Sequence, residues 1–139
     1  MSDLHATYGA KGLEILAFQC SQFLDQAPGT DEEFLNTLKY VRPGKGYVPS
    51  FPIFSKVEVN GGDAHSFWQA VRASCPIGPT LGGQICPYDV IKWKPVTPAD
   101  VAWNFEKVLI SKKGVPVRRF SADSEKEPLA QAIEALLAE

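Results

Sequence analysis

The spacing of apolar residues in the first third of the chain changes from helical to strand-like. Leu4 and Tyr8 lie four positions apart, so residues 3–11 are predicted to be the last two turns of a helix. Gly12, which takes positive φ without steric cost, is expected to end it. Residues 13–18 then form a short, nearly continuous apolar run, which is typical of a strand buried on both faces in a parallel sheet.

The next segment, residues 30–41, carries the clearest helix signals in the chain. Thr30 and Glu33 have the spacing of a capping box, in which each side chain bonds the backbone N–H of the other residue. The following apolar positions share one helical face: Phe34, Leu38 and Val41. Pro43 requires the helix to end before it.

The middle of the chain alternates between loops and short elements. Residues 42–52 contain two glycines and three prolines and are predicted to be a loop, while residues 53–59 are strand-like. The NGG sequence at 60–62 predicts a turn, and 63–74 has helical apolar spacing. The segment 75–87 is too rich in proline and glycine to hold a helix.

The last third predicts a hairpin and a helix. Periodicity alone leaves residues 101–110 open between helix and strand, but the short turn and second β-rich run at 114–121 favour a hairpin. Ser124 and Glu127 have capping-box spacing, which predicts a final helix. Its inner face is expected to hold Leu129, Ile133, Leu136 and Leu137. The chain is therefore predicted to be one α/β domain over residues 1–139, with a mixed sheet.

Composition excludes several classes of function. Lys plus Arg is 14 and Asp plus Glu is 16, a net charge of −2, whereas nucleic-acid-binding modules normally carry a basic excess. No apolar run approaches the roughly 20 residues that span a bilayer. Three cysteines without a CxxC pair, beside two histidines, argue against a disulfide scaffold and against a zinc site. We therefore expect no nucleic-acid partner, no membrane contact and no bound metal.

Several segments together resemble the glutathione peroxidases, whose fold is thioredoxin-like. They are FQCSQFLDQAPG (18–29), LKYVRPGKGYVPSFPIF (38–54), VNG (59–61), WNFEKVLI (103–110) and GVPVRRFS (114–121). The resemblance runs from about Leu4 to Leu137. It implies an α/β, thioredoxin-like fold in its glutathione peroxidase variant, lacking the first strand and most of the first helix.

The resemblance implies reduction of hydrogen peroxide and organic hydroperoxides, with glutathione as cosubstrate and no other cofactor. In the family a selenocysteine or cysteine reduces the peroxide among hydrogen-bond donors. These donors fall on Gln26, Trp103 and Asn104. Indole and amide groups can stabilise a chalcogenolate anion without adding a second titrating group.

Glutathione carries two carboxylates, which arginine binds better than lysine does because its guanidinium presents a planar fork. The resemblance places this role on Arg42, Arg118 and Arg119. Arg118 and Arg119 alternate on a strand, so at most one can face a pocket directly. The loop 42–51, with no cysteine in the preceding helix, implies the glutathione-using, tetrameric class over the thioredoxin-dependent class.

The family's TxUG- or TxCG-like motif is absent from the sequence. We expect Cys20 to be structural, Cys75 to be an ordinary loop or helix-end thiol, and Cys86 to be exposed and inert. Leu24 replaces a family glycine in the loop that leads to Gln26, and a positive φ there would cost about 1 kcal/mol.

The chain is expected to begin inside the family's first helix, incomplete at its N-terminus. A selenocysteine codon read as a stop would explain this start, and so would an incomplete clone or a mis-called exon boundary. Loss of the central strand would leave sheet edges unpaired, so the chain alone is expected to aggregate or partly unfold. The alternative is a non-catalytic thioredoxin-fold remnant or interaction protein. A cytoplasmic location is expected, although a secretory signal could lie in the absent segment.

Overall fold

The structure is a computed structural model that describes residues 1–75, 86 and 88–139. It divides into two compact units. The first comprises Met1–Ser21 and Asp25–Val57, and the second comprises Gln22–Leu24 and Glu58–Glu139. No helix among the described residues is long and apolar enough to cross a membrane.

The first unit opens with helix α1, Ser2–Tyr8, followed by a 3₁₀ turn over Gly9–Lys11. Leu4 and Tyr8 are buried, as their spacing predicts. Gly12 has φ +106° and its N–H donates to the carbonyl of Gly9, so the predicted glycine stop is confirmed.

Helix α2, Asp31–Asn36, begins at the predicted capping box. The N–H of Glu33 donates to Oγ1 of Thr30 at 3.2 Å, and the N–H of Thr30 donates to Oε2 of Glu33 at 2.6 Å. The helix continues as a π-helical segment over Thr37–Val41, which reaches the predicted end. The capping prediction is therefore confirmed.

Strands β1, Ala17–Phe18, and β2, Ile53–Phe54, pair in parallel, with Ala17 opposite Ile53 and Phe18 opposite Phe54. Both are shorter than predicted. Leu16 is 51% exposed, so the expected burial on both faces is wrong. Within the described residues β1 has one partner strand, and this short ladder buries only part of the apolar run.

The second unit contains helix α3, Ser66–Ser74. It begins three residues later than predicted because the Nδ1 atom of His65 accepts from the N–H of Phe67 and caps the helix there. The preceding turn needs glycine at position 61, where φ is +83° and a Cβ would lie 2.9 Å from Cβ of Trp93. A 3₁₀ turn follows at Tyr88–Val90. The prediction for 75–87 lies mostly outside the described residues.

Strands β3, Lys107–Ile110, and β4, Pro116–Phe120, form the predicted antiparallel hairpin, with Val108 opposite Arg119. The first strand begins six residues later than predicted. Residues 101–106 form a loop whose backbone is bonded to buried side chains instead of to a neighbouring strand. Among the described residues the sheet is two separate two-stranded ladders, so the predicted mixed sheet is not formed there.

Helix α4, Lys126–Leu137, ends the chain and buries Leu129 and Ile133 as predicted. The prediction of a capping box at the start of α4 is wrong. Glu125 is the N-cap and its side chain makes no capping bond, while the hydroxyl of Ser124 bonds the hydroxyl of Ser121 at 2.9 Å. A local serine partner thus replaces the helix cap.

Candidate functional site

Trp103 and Asn104 lie side by side in the second unit, half-buried, on the loop that leads into β3. The indole ring of Trp103 packs against the ring of Phe23 with centroids 5.8 Å apart and planes inclined by 50°. Phe23 is 2% exposed and also meets the ring of Trp93 edge-on at 5.6 Å. The aromatic core of this unit therefore supports the indole.

The backbone just before Trp103 is bonded to a buried amide. Asn60 is fully buried, and its Oδ1 atom accepts from the N–H of Val101 at 2.8 Å. Its Nδ2 atom donates to the carbonyl of the same residue at 2.9 Å. One side chain thus satisfies both polar backbone groups of Val101.

The side chain of Glu106 bonds the backbone of Ala102, the residue after Val101. Its Oε2 atom accepts from the N–H of Ala102 at 2.8 Å, and its Oε1 atom accepts from Nε of Arg119 at 2.5 Å. Burial raises the pKa of Glu106, while the Ala102 N–H and the Arg119 cation oppose that rise. The two charged side chains are only 1% and 2% exposed, so they form a buried ion pair.

The guanidinium of Arg119 is fully engaged by this loop and its surroundings. Besides Glu106, it donates to the carbonyls of Ala99 at 2.7 Å, Asp100 at 2.8 Å and Cys75 at 3.3 Å. Its buried position gives it the role of a brace for the backbone that leads to Trp103.

The other two predicted cations are exposed. Arg118 points away from its buried neighbour on β4, and its guanidinium lies over the ring of Phe120 at 4.8 Å. Arg42 ends the π-helical segment of the first unit. The alternation predicted for the β4 pair is observed, and Arg118 is its exposed member.

The two glutamines of the QFLDQ segment fall in different units. Gln26 is exposed in the first unit, whereas Gln22 is buried in the second unit, directly before Phe23. The Oε1 atom of Gln22 accepts from the N–H groups of Val59 and Asn60 at 2.9 Å each. Its Nε2 atom donates to the Asn60 carbonyl at 3.0 Å and to Oε2 of Glu58 at 3.1 Å.

Gln22 is therefore a buried amide to which the sequence analysis assigned no role. The available signal was its position directly before the aromatic residue Phe23. The role predicted for Gln26 stays a prediction.

Three bulky or polar residues near these segments have left-handed backbone conformations. Leu24 has φ +56° and Asp25 has φ +51°, so the condition for strain at Leu24 is met. Phe105, directly after Asn104, has φ +61° and is 83% exposed.

None of the three cysteines forms a disulfide among the residues that the structure describes. Cys20 is half-buried, and Cys75 is half-buried at the C-terminal end of α3. Cys86 is 4% exposed, so the expectation that it is exposed is wrong; its N–H donates to the Ala102 carbonyl at 3.0 Å. Burial, and less strongly the charge of Asp89, raises the pKa of the Cys86 thiol, which disfavours the reactive thiolate. No group of three or more potential metal ligands occurs in the part of the chain that the structure describes.

Comparison with known proteins gives consistent matches. A family model described as glutathione peroxidase matches residues 1–72. Glutathione peroxidase 1 of Macaca fuscata fuscata is 44% identical over 141 residues, covering 100% of this chain and 70% of the macaque protein. The protein of the same name from Rattus norvegicus is 45% identical over 140 residues, covering 99% and 69%. The crystal structure of T. cruzi GPX1 superposes with a TM-score of 0.62 at 26% identity, covering 99% of this chain and 68% of that one.

Proposed function

Because the chain belongs to the glutathione peroxidase family, an oxidoreductase family, we propose that it acts in the reduction of hydrogen peroxide and organic hydroperoxides by glutathione. The membership confirms the resemblance and the thioredoxin-like α/β fold. The observation that carries the proposal is the pair Trp103–Asn104, two neutral donor side chains on a loop held by Asn60 and the Glu106–Arg119 pair.

The overall reaction consumes one hydroperoxide and two glutathione thiols. It releases glutathione disulfide, one water and the alcohol of the hydroperoxide, which is a second water when the substrate is hydrogen peroxide. Cleavage of the O–O bond needs a stabilised chalcogenolate and a proton for the leaving oxygen. An indole N–H and an amide N–H can stabilise the developing anion in a half-buried site. This supports donor roles for Trp103 and Asn104, with Gln26 as the third predicted donor.

We further propose that the peroxide-reducing residue is a selenocysteine or cysteine outside residues 1–139. None of Cys20, Cys75 and Cys86 stands in the family's motif, and Cys86 is buried with a raised pKa. Sequencing the transcript upstream of the Met1 codon tests this. An upstream reading frame that encodes a TxUG- or TxCG-like motif supports the proposal, and a transcript without such a reading frame contradicts it.

For the cosubstrate, we propose that the exposed cations Arg42 and Arg118 bind glutathione carboxylates. The burial of Arg119 and its engagement by carbonyls and Glu106 support a bracing role for that residue instead of direct contact. Replacing Arg118 with alanine is expected to raise the KM for glutathione about tenfold and to leave the rate constant for the peroxide unchanged.

A homotetramer and a cytoplasmic location remain proposals. The loop 42–51 supports the tetramer, because the family resemblance links that loop to the tetrameric class. Light scattering of the purified protein tests the assembly, and a monomer would contradict it.

The function is tested with a coupled assay that follows NADPH oxidation through glutathione reductase. The product of the full transcript and the chain 1–139 are both assayed with hydrogen peroxide and with cumene hydroperoxide. Trp103→Phe and Asn104→Ala are each expected to lower kcat/KM about 100-fold, because each removes one donor. Trp68→Phe, which removes an indole from α3, is the matched control and should leave kcat/KM unchanged. No glutathione-dependent turnover by either protein would favour the non-catalytic remnant.

A further inference from the structure

We propose that Asn60 is a positioning residue for Trp103 and Asn104. Asn60 is fully buried in the second unit, in the turn after Val59, and touches neither residue through an observed bond. It acts through Val101, whose N–H and carbonyl it bonds at 2.8 and 2.9 Å. The catalytic meaning of this role rests on the proposed function, but the contact itself can be tested without activity.

Asn60 also connects this loop to the segment that supports the indole. The N–H and carbonyl of Asn60 are both bonded by the amide of Gln22, at 2.9 and 3.0 Å. Gln22 precedes Phe23, whose ring packs against Trp103. Asn60 thus connects, through hydrogen bonds, the loop before Trp103 with the segment that carries the Phe23 ring beside Trp103.

The backbone of the loop needs such restraint. Phe105 has φ +61°, which is unfavourable for a bulky residue, and the residue is 83% exposed, so its own burial does little to stabilise that conformation. Asn60 bonds the backbone of Val101 and Glu106 bonds the backbone of Ala102, and both of these backbone positions come shortly before Phe105. Strained backbone persists only where the surrounding structure over-determines it.

The chemistry of the contact requires an amide. An asparagine side chain offers one acceptor and two donor hydrogens, so it can satisfy an N–H and a carbonyl of the same residue. A carboxylate can accept from the Val101 N–H but cannot donate to the Val101 carbonyl, and alanine can do neither. Asn60→Asp therefore breaks one of the two bonds and Asn60→Ala breaks both.

The first test uses the product of the full transcript, without substitutions, and amide hydrogen exchange by NMR. Val101 lies outside every helix and strand, and its N–H donates to Oδ1 of Asn60 at 2.8 Å, so no ladder or helix bond accounts for its protection. We expect its exchange to be at least about 100-fold slower than in an unstructured chain. Exchange of Val101 at the unstructured rate overturns the proposal, whether or not the amides of β3 are protected.

The second test labels the three tryptophans with 5-fluorotryptophan and follows their ¹⁹F resonances, assigned by single Trp→Phe changes. In both Asn60 variants the Trp103 resonance should shift or broaden, while the Trp68 resonance in α3 stays in place. Gln69→Ala, which removes a 2.6 Å bond to the Ala64 carbonyl in the same unit, is the control and should leave Trp103 unchanged. An unchanged Trp103 resonance, or an equal change at Trp68, overturns the positioning role.

Discussion

Replacing Arg119 with lysine tests whether the buried guanidinium braces the candidate site. Arginine has five N–H donors in a planar fork, and here they serve Glu106 and three backbone carbonyls. A lysine ammonium keeps the charge but has three donors on one atom. At least one buried acceptor, and two of the five donor contacts, are therefore lost.

The expected magnitude follows from those contacts. Two lost bonds to buried acceptors, at about 1–2 kcal/mol each, lower the free energy of unfolding by about 2–4 kcal/mol. The midpoint of thermal unfolding should fall by roughly 10 °C. Urea unfolding followed by circular dichroism measures the change, with an unchanged m-value showing that the unfolding transition is the same.

The neighbouring residue is the matched control. Arg118→Lys makes the same chemical change one position earlier on β4, at an exposed side chain whose contact with the Phe120 ring a lysine can keep. It should alter the free energy of unfolding by no more than about 0.5 kcal/mol. Equal effects of the two substitutions would refute the assignment of Arg119 as a buried brace.

Three further predictions concern the Gln22–Leu24 segment and the start of α2. Gln22→Glu should cost about 2–4 kcal/mol in urea unfolding, because a carboxylate cannot donate to the Asn60 carbonyl and would face Glu58, whereas Gln26→Glu should cost less than about 0.5 kcal/mol. Leu24→Gly should be more stable than Leu24→Ala by about 1 kcal/mol, since glycine accepts φ +56° without strain. Hydrogen bonds from the Ser55 side chain and the Lys56 backbone lower the pKa of Asp31. Ionised Asp31 therefore adds to the free energy of unfolding above the unfolded pKa of about 4, and this stabilisation is lost as the pH falls through the lower folded pKa. Asp31→Asn should therefore flatten the acid limb of the stability profile.

Each of these has a contradicting outcome. Similar costs for the two glutamine variants would show that the Gln22 bonds contribute no more than a surface amide. A glycine variant at position 24 no more stable than the alanine variant would mean that the turn is unstrained. If the free energy of unfolding falls equally with decreasing pH in Asp31→Asn and in the unmodified chain, Asp31 does not contribute to the pH dependence of stability.

Local sequence signals predicted the elements whose causes lie within a few residues. The Thr30 capping box and the Gly12 stop are confirmed, since each needs only its own turn of helix. The helix at 63–74 was predicted but began later, because His65 competed as the cap. The capping pattern at Ser124 was wrong, because Ser121 offered a nearer partner.

The candidate site was predicted only in part. Trp103 and Asn104 could be proposed by resemblance, and strand alternation indicated that Arg118 and Arg119 would face opposite ways. The local signal that distinguishes Gln22 from Gln26 is the aromatic residue that follows Gln22. The burial of Gln22 depends on its distant partners at 58–60, which the local pattern does not show.

From the sequence alone one could predict the order of the helices and turns, the net charge and the family resemblance, because these follow from local sterics, periodicity and composition. Tertiary structure alone decided which polar residues are buried. Asn60, Glu106 and Arg119 belong to residue types that usually lie at the surface, and each is buried here because partners up to 44 positions away satisfy its hydrogen bonds. A buried polar group is stable only when such partners converge, and that convergence is a property of the folded chain.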